Sequence, residues 1–386
     1  MSATSIRTVL PLAVLTGSSM LAMDLFLPAV PALQQALGIG IDQAQATVAI
    51  FLGGLAASQL LWGELLNRIG PRRCVQAGVG LLLLASVGCA LAPDITWLLA
   101  MRLLQGIAAG AATVVAPSVV RASLADVDAV RGMATIASIE AIVPAAGPVL
   151  GTALLAWTDW RGTFWVLAAA FLAVLPFVVR IAPASLPGLD RRVPARYVDI
   201  LGNRRYLRLA LSHALCIGAL ISFVASAPQL LPRVFLLGTS AFAVLQVFGV
   251  GAFMLAASQS GRVSQRLQPL RAVRWGAAAH VLLCAALLVA ALLHAVSFAG
   301  LVVFWCAYCA VIALRGPAAF SLALQLPPAQ MGRASALMVL ALLAVSAIAT
   351  QAIAPFVGGA SLVPAATMLL LVSIASAALV PRSDLP

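Results

Sequence analysis

Apolar stretches of about twenty residues follow one another along almost the whole chain, with only short polar turns between them. About 20 residues is the length that an α-helix needs to cross the roughly 30 Å hydrocarbon core of a bilayer. Only 9% of the residues are charged and 63% are hydrophobic, whereas about a quarter of a soluble domain is charged. The sequence therefore predicts an all-α membrane protein and excludes a soluble enzyme. The twelve predicted spans are residues 8–33, 45–66, 74–92, 96–120, 132–157, 162–181, 206–228, 240–260, 273–294, 297–324, 333–357 and 361–380.

One long polar connection divides these spans into two sets of six. It comprises residues 182–205 and contains three prolines and five arginines, a composition that ends helices and is typical of a loop. The sequence therefore predicts an N-terminal six-helix bundle over 1–181, a cytoplasmic linker over 182–205 and a C-terminal six-helix bundle over 206–386.

The positions of the arginines indicate the orientation of the chain. All 23 basic residues are arginines, and nineteen of them fall in termini or connections on one side of the predicted spans. Cytoplasmic loops are enriched in basic residues, so we expect both termini in the cytoplasm and the inner membrane of a bacterium as the location. The net charge of +12 is spread over seven such segments, whereas nucleic-acid binding needs clustered basic residues and is not expected. Because lysine is absent, a Walker A site, and hence an ATP-driven pump built from this chain alone, is excluded.

An internal repeat relates the two halves. The sequence Ala-Ala-Ser-Gln at 56–59 recurs at 256–259, an offset of 200 residues. Helix-breaking residues recur at the same offset, namely Pro28 and Pro228, Gly38 and Gly238, Pro117 and Pro317, and Gly132 and Gly332. Two parallel six-helix halves are one of the repeat arrangements of secondary transporters.

Four motifs in the first half resemble a known family. They are Met23–Pro31 in the first span, Gly63–Arg73 after the second, Arg102–Gly106 in the fourth and Pro144–Gly151 in the fifth. Together they resemble the Bcr/CflA-type drug:proton antiporters of the major facilitator superfamily. The resemblance implies two pseudo-symmetric six-helix bundles around a central cavity. It also implies that the chain, as a monomer in the lipid bilayer, exports small amphipathic compounds such as drugs in exchange for protons, by alternating access and without a metal or cofactor.

Other functions remain as alternatives. Export of an endogenous metabolite such as a siderophore or a sugar is the closest of these, because the resembling branch also includes such exporters. A membrane-embedded enzyme would need clustered catalytic groups at the interface, and the three histidines are scattered at 213, 280 and 294. An enzyme is therefore not expected.

Asp24 is the first candidate for proton coupling and substrate binding. It lies about 24 Å along the first span at 1.5 Å per residue, where an isolated carboxylate is costly unless it is protonated or faces a cavity. Arg102, a candidate for proton coupling, is predicted at a similar depth, and we hypothesise a direct interaction between the two side chains. In the resembling family the acid binds substrate and protons, and the arginine contributes to proton coupling. The alternatives are a polar helix-end residue near the outer surface for Asp24 and a snorkelling side chain for Arg102.

Two further charged residues are predicted within the membrane. Glu140 lies roughly 12 Å into the fifth span, is not explained by the resemblance, and is a candidate for proton coupling and for recognition of a cationic substrate. Packing against Ser, Gln or water partners is its alternative. Arg315 in the tenth span is a candidate substrate-binding residue, either as an anion-binding group or as the counter-charge of Glu140; otherwise it is a snorkelled arginine near the cytoplasmic end. Gln105 and Tyr308 complete the candidate substrate-binding residues.

A glycine and proline motif in the fifth span predicts a gate. Small residues at i and i+4 let helices approach closely, and Pro148 removes a backbone hydrogen bond and bends its helix. In antiporters of the resembling superfamily this motif seals the two halves on the outside, although generic helix packing involves the same physics. The predicted gating residues here are Pro144, Gly147, Pro148 and Gly151.

The connection after the second span predicts a second gate, on the cytoplasmic side. The superfamily pattern has Asp where this chain has Asn67 and a basic residue where it has Pro71, so the charge relay of this latch is expected to be weaker. Asn67 can instead cap a helix end, and Glu64 lies nearly one turn earlier as a replacement carboxylate. The predicted gating residues of this connection are Gly63, Asn67, Arg68, Gly70, Arg72 and Arg73.

Overall fold

The computed structural model describes residues 3–124, 126–181 and 197–381 of the 386-residue chain. Nearly all of these residues are helical and no β-strand occurs among them, which confirms the predicted all-α fold class. The α-helices of these ranges are α1 Ala3–Asp24, α2 Val30–Leu37, α3 Ile41–Ile69, α4 Pro71–Ala90, α5 Ile95–Ser123, α6 Asp126–Leu154, α7 Trp160–Ile181, α8 Tyr197–Leu201, α9 Arg204–Phe235, α10 Ser240–Ala257, α11 Ser260–Leu267, α12 Pro269–Leu292, α13 Phe298–Ala323, α14 Pro328–Ile353 and α15 Val363–Leu379. Short 3-10 helices at Leu27–Ala29 and Ala354–Phe356 follow α1 and α14.

The helical segments coincide with the twelve predicted spans. Within the described ranges, ten segments are long and apolar enough to cross a membrane. The shorter apolar helices α7 and α15 occupy the other two predicted positions. The chain is therefore a multi-pass membrane protein.

Three features of the helices were not predicted. The first span is a broken helix that extends over Val9–Leu37, with the 3-10 turn Leu27–Ala29 between α1 and α2. The short helix α8 lies in the predicted linker, of which residues 182–196 are outside the described ranges. The third feature is the short polar helix α11, which lies in the connection between the span formed by α10 and the helix α12.

The chain forms two compact units, Met1–Val193 and Pro194–Pro386, which repeat one packing scheme. In the first unit α1 packs against α5, α6 and α7, α5 also packs against α3 and α4, and α4 packs against α7. In the second unit α9 packs against α13, α14 and α15, α13 also packs against α10 and α12, and α12 packs against α15. The two schemes are identical when α9, α10 and α12–α15 replace α1 and α3–α7. The repeat seen in the sequence is thus a repeat of helix packing.

Glycines allow α3 and α5 to pack with their backbones in contact. A Cβ atom added to Gly54 would lie 2.5 Å from the carbonyl oxygen of Leu103, and one added to Gly106 would overlap the carbonyl oxygen of Phe51. Small residues at such crossings are the usual means by which membrane helices approach closely. This contact fixes α5, which carries Arg102, against α3.

We expect Gly106→Ala to destabilise the protein by about 1–3 kcal/mol, because overpacking a close contact forces the backbone apart. Gly53→Ala on α3 is the matched control, since no atom lies within 4 Å of its added Cβ and alanine favours a helix by up to about 1 kcal/mol over glycine. Thermal unfolding of the purified variants in detergent measures both. Equal melting temperatures for the two variants would contradict the proposed backbone contact.

Candidate functional site

Arg102 is the centre of a buried polar network in the first unit. Its Nε donates to the carbonyl oxygen of Thr47 at 3.1 Å, and its Nη1 donates to that of Ala22 at 3.1 Å and to Oε1 of Gln105 at 2.6 Å. Gln105 in turn donates to the hydroxyl of Ser86 at 2.8 Å. Arg102 is fully buried, so the alternative of a snorkelling side chain is wrong. The guanidinium links α1, α3 and α5.

Aromatic rings surround the same guanidinium. Its central carbon lies 4.3 Å from the ring centroid of Phe51, 4.7 Å from that of Phe26 and 5.8 Å from that of Phe164. Desolvated contacts of a cation with aromatic faces are favourable, and they offset part of the cost of burying this charge. None of these three phenylalanines is among the site residues predicted from the sequence.

The break after α1 supplies one of the acceptors of Arg102. In a continuous helix the N–H of Phe26 would bond to the carbonyl of Ala22, but it donates to that of Met23 at 3.1 Å instead. The carbonyl of Ala22 is therefore available to Arg102. Pro28 has no N–H to continue the helix, and the positive guanidinium is favourable at the negative C-terminal end of α1. The break and the buried arginine stabilise each other.

Asp24 is the last residue of α1 and is only 7% exposed. In the span Val9–Leu37 it lies near the middle of the sequence rather than at an end, which favours a position within the membrane over one near the outer surface. The hypothesised direct interaction with Arg102 is not observed. Among the described residues, no cationic nitrogen lies within 4.0 Å of the Asp24 carboxylate, and Arg102 is bonded to the backbone two residues earlier.

The glycine motif of α6 lies directly against Asp24. A Cβ atom on Gly147 would be 2.5 Å from Cβ of Asp24, and one on Gly151 would overlap the carbonyl oxygen of Leu25. Pro148 is buried beside them and Pro144 is partly buried. The structure thus packs the glycines of the predicted gate against the end of α1, which carries Asp24, within one unit.

Glu140 lies on the same α1–α6 contact. It is partly buried, and its carboxyl group lies near the hydroxyl of Thr16, which donates to the carbonyl oxygen of Ala13 at 3.0 Å. Gly17 follows Thr16 on α1, and a Cβ atom added to it would lie only 2.8 Å from Cγ2 of Ile139 on α6, so the two helices pack closely here. Glu140 precedes Gly147 by seven residues, so the two carboxyl groups are separated by about 10 Å along the helices. The structure therefore brings Asp24 and Glu140 onto one helix pair.

The connection between α3 and α4 is a tight turn. Gly70 has φ of +81°, in the region that favours glycine, and Pro71 begins α4. Asn67 lies inside α3 and Gly70 is the cap of α4, so the prediction that Asn67 caps a helix is wrong. Glu64 pairs with Arg68 at 2.9 Å on the exposed surface, which makes it a carboxylate partner within the motif. Of the other predicted gating residues of this turn, Gly63 is partly buried and Arg72 and Arg73 are exposed.

The second unit has its own buried arginine. Arg315 is 1% exposed, which excludes a snorkelled side chain, and its Nη2 donates to the hydroxyl of Ser212 at 2.9 Å and of Ser376 at 3.4 Å. Tyr308 is fully buried two turns earlier on α13. Its ring stacks on Trp305 with the centroids 5.7 Å apart. Arg315 and Glu140 belong to different units.

The two repeats differ at the residues of the first network. At an offset of 200, Asp24 corresponds to Val224 and Arg102 to Val302. The helix α9 continues past Val224 and its prolines up to Phe235, whereas the first span is broken. A proline alone therefore does not account for the break. The difference singles out Asp24, Arg102 and the break as one arrangement specific to the first unit.

Comparisons with known proteins agree with this architecture. The sequence matches the profile of the Major Facilitator Superfamily over residues 12–350. The multidrug resistance proteins MdtL of Escherichia coli O139:H28 and of Shigella flexneri are 29% identical to it over 236 residues, which is 60% of this chain and 60% of theirs. The matched region thus spans less than two thirds of these relatives.

Two solved structures share the fold. The inward-facing, unoccupied bacterial homologue of the human lysosomal transporter Spinster superposes with a TM-score of 0.75, at 13% identity and over 98% of this chain and 96% of that one. A D-xylose–proton symporter gives 0.74 at 16% identity, over 97% and 98%. These likenesses concern the fold, whereas the profile match extends over most of the sequence. The chain belongs to the Major Facilitator Superfamily, and it is accordingly a membrane transporter rather than an enzyme.

Proposed function

We propose that this transporter is a proton-coupled antiporter that exports small amphipathic compounds, including drugs, from a bacterial cell. Its similarity to multidrug resistance proteins supports this substrate class. The distribution of arginines supports an inner-membrane location with cytoplasmic termini. We also propose that residues 1–181 and 206–386 act as the two bundles of an alternating-access cycle, with 182–205 as their linker.

The observation that carries the proposal is the buried carboxyl group of Asp24. It is 7% exposed near the middle of a membrane span. A carboxyl group sealed from water there is favoured in its neutral form, and one open to water can release its proton. The C-terminal end of α1 also disfavours a negative charge. Asp24 can therefore hold a proton in one state and accept a cationic substrate in the other.

In this proposal Arg102 positions the carboxyl group rather than neutralising it. It binds the carbonyl of Ala22 and not the side chain of Asp24. The cation thus stabilises the helix break at which Asp24 lies while leaving the carboxyl group available to protons. Gln105 holds the guanidinium from the same helix α5.

The decisive experiment is uptake of labelled compounds into inside-out vesicles with an imposed pH gradient, across antibiotics, cationic dyes, siderophores and sugars. We expect uptake of amphipathic drugs and dyes that stops when a protonophore collapses the gradient. Uptake that persists after the collapse would contradict antiport. Uptake confined to a siderophore or a sugar would replace drugs by an endogenous metabolite as the substrate.

We propose Glu140 as a second acidic group on the route of the proton or the cation. The variant Glu140→Gln removes the charge but keeps a polar side chain of nearly the same size beside Thr16. We expect the ratio of cationic to neutral substrate uptake to fall about tenfold, which corresponds to a lost attraction of about 1.4 kcal/mol. The measurement is competition between a cationic dye and a neutral antibiotic in the same vesicles. An unchanged ratio would return Glu140 to a packing role.

A further inference from the structure

Arg315 is a buried cation whose partners carry no charge. Its Nη2 donates to the hydroxyl groups of Ser212 and Ser376, and its Nη1 donates to Ser376 at 3.4 Å. Its Nε has no hydrogen-bond partner within the described part of the chain. No carboxylate oxygen of the described residues lies within 4.0 Å of the guanidinium. A buried charge in this state is costly unless something pairs with it.

The two serines cannot supply the missing charge. The hydroxyl of Ser212 donates to the carbonyl oxygen of Ser376 at 2.8 Å, and that of Ser376 donates to the carbonyl oxygen of Ser212 at 2.7 Å. Each hydroxyl has only one proton, so both are fixed with their lone pairs toward Arg315. They hold the guanidinium in place as neutral acceptors and link α9 to α15.

The described part of this unit offers no buried acid to complete the pair, because its one described acid, Asp199, is exposed. Between Asp199 and Asp384 the chain contains no aspartate or glutamate. The nearby histidines His213 and His280 are buried as well and can contribute no negative charge.

The buried arginine of the first unit shows how a buried positive charge can be stabilised without a carboxylate partner. Arg102 stacks on aromatic rings and donates to two backbone carbonyls and one amide oxygen. For Arg315, the cation–aromatic contacts of the described residues include none. Both arginines have hydrogen bonds to neutral oxygens and one buried nitrogen without a partner among the described residues, Nη2 of Arg102 and Nε of Arg315. The second arginine therefore lacks the aromatic contacts that the first one has.

We propose that the second unit contains an anion-binding site in which Arg315, held by Ser212 and Ser376, binds one singly charged group through its free Nε. Because Arg315 is 1% exposed, the group is small: a halide ion or a single carboxylate. Guanidinium binds both through charge-assisted hydrogen bonds. The two sources, a free inorganic anion and a carboxylate borne by an organic compound, share this chemistry and are separated by the experiment. The site does not depend on proton-coupled export, because its test measures binding.

The experiment is thermal unfolding of the purified full-length protein in detergent at constant ionic strength. Sodium methanesulfonate is replaced stepwise by sodium chloride or sodium formate, and in a second series sodium benzoate is compared with methyl benzoate. A ligand of the folded state raises the melting temperature in a saturable manner. The variants are Arg315→Gln, the double variant Ser212→Ala with Ser376→Ala, and Arg271→Gln as a control that removes an exposed arginine of the same unit.

We expect saturable stabilisation of the wild type and of Arg271→Gln, and none of Arg315→Gln. The serine double variant keeps the charge, so it should still respond, with a half-saturating concentration about tenfold higher because two neutral hydrogen bonds are lost. A response to chloride and formate identifies a free anion, and a response to benzoate but not to chloride or methyl benzoate identifies an organic carboxylate. A wild type that responds to no anion, or an Arg315→Gln variant that responds like the wild type, overturns the proposal. If Arg315→Gln does not fold, the shift of the serine double variant decides.

Discussion

Asp24→Asn is expected to reduce uptake driven by a pH gradient to the level of empty vesicles. The amide is nearly the same size as the carboxyl group, so the close contact with Gly147 is preserved, but the amide cannot carry a proton. In detergent, binding of a cationic dye to the wild type should strengthen as the pH rises, because deprotonation of Asp24 creates the charge that attracts the dye. Binding to the variant should be weaker and independent of pH over the same range.

Asp42→Asn is the matched control for this variant. It removes an exposed carboxylate from the first turn of α3, so uptake and its pH dependence should stay at the wild-type values. Full gradient-driven uptake by Asp24→Asn would show that Asp24 is only a packing residue. A loss of uptake with intact, pH-dependent dye binding would place the proton on another group, and Glu140 would be the first to examine.

Arg102→Met is expected to have the second largest effect, a loss of both stability and transport. The change leaves the carbonyl oxygens of Thr47 and Ala22 and the side chain of Gln105 without their donor, and each buried unsatisfied polar group costs about 1–3 kcal/mol. Removal of a buried charge offsets part of this loss. We expect a net destabilisation of about 3 kcal/mol, with transport abolished even in the fraction that folds.

The specific readout for Arg102 is hydrogen exchange at the amides of residues 25–30. If the guanidinium maintains the break, exchange there should change more in Arg102→Met than elsewhere in α1. Arg121→Met is the control, because Arg121 lies exposed in the last turn of α5, the helix that carries Arg102. Unchanged exchange at the break, together with normal stability, would remove Arg102 from the role assigned to it.

Much of the fold could be predicted because a bilayer imposes a simple rule on sequence. A span needs about 20 apolar residues, and this rule located the ten long apolar segments and the two shorter apolar helices of the described residues. The rule could not predict the break after Asp24, because the equivalent prolines of α9 do not break that helix. The break depends on a tertiary contact with Arg102, which hydropathy does not detect.

The sequence predicted which charged residues lie within the membrane but not which atoms they contact. Asp24, Arg102, Glu140 and Arg315 were found because charged residues are rare and costly within a membrane. The assumption that opposite charges pair directly was wrong for Asp24 and Arg102, since the arginine binds main-chain oxygens instead. The sequence also contains a signal for the second unit, namely the absence of any acid between Asp199 and Asp384.

The bond from Arg102 to the carbonyl of Ala22 has a consequence for how this protein should be compared with its relatives. A peptide oxygen is present whatever amino acid occupies the position, so the bond places no demand on the side chain of residue 22, which is constrained only by packing at this buried site. Paired substitutions at the two positions are then not expected, and methods that infer contacts from correlated substitutions should overlook this link. In distant relatives the arrangement should be sought as a broken first helix that accompanies an arginine in the fourth span.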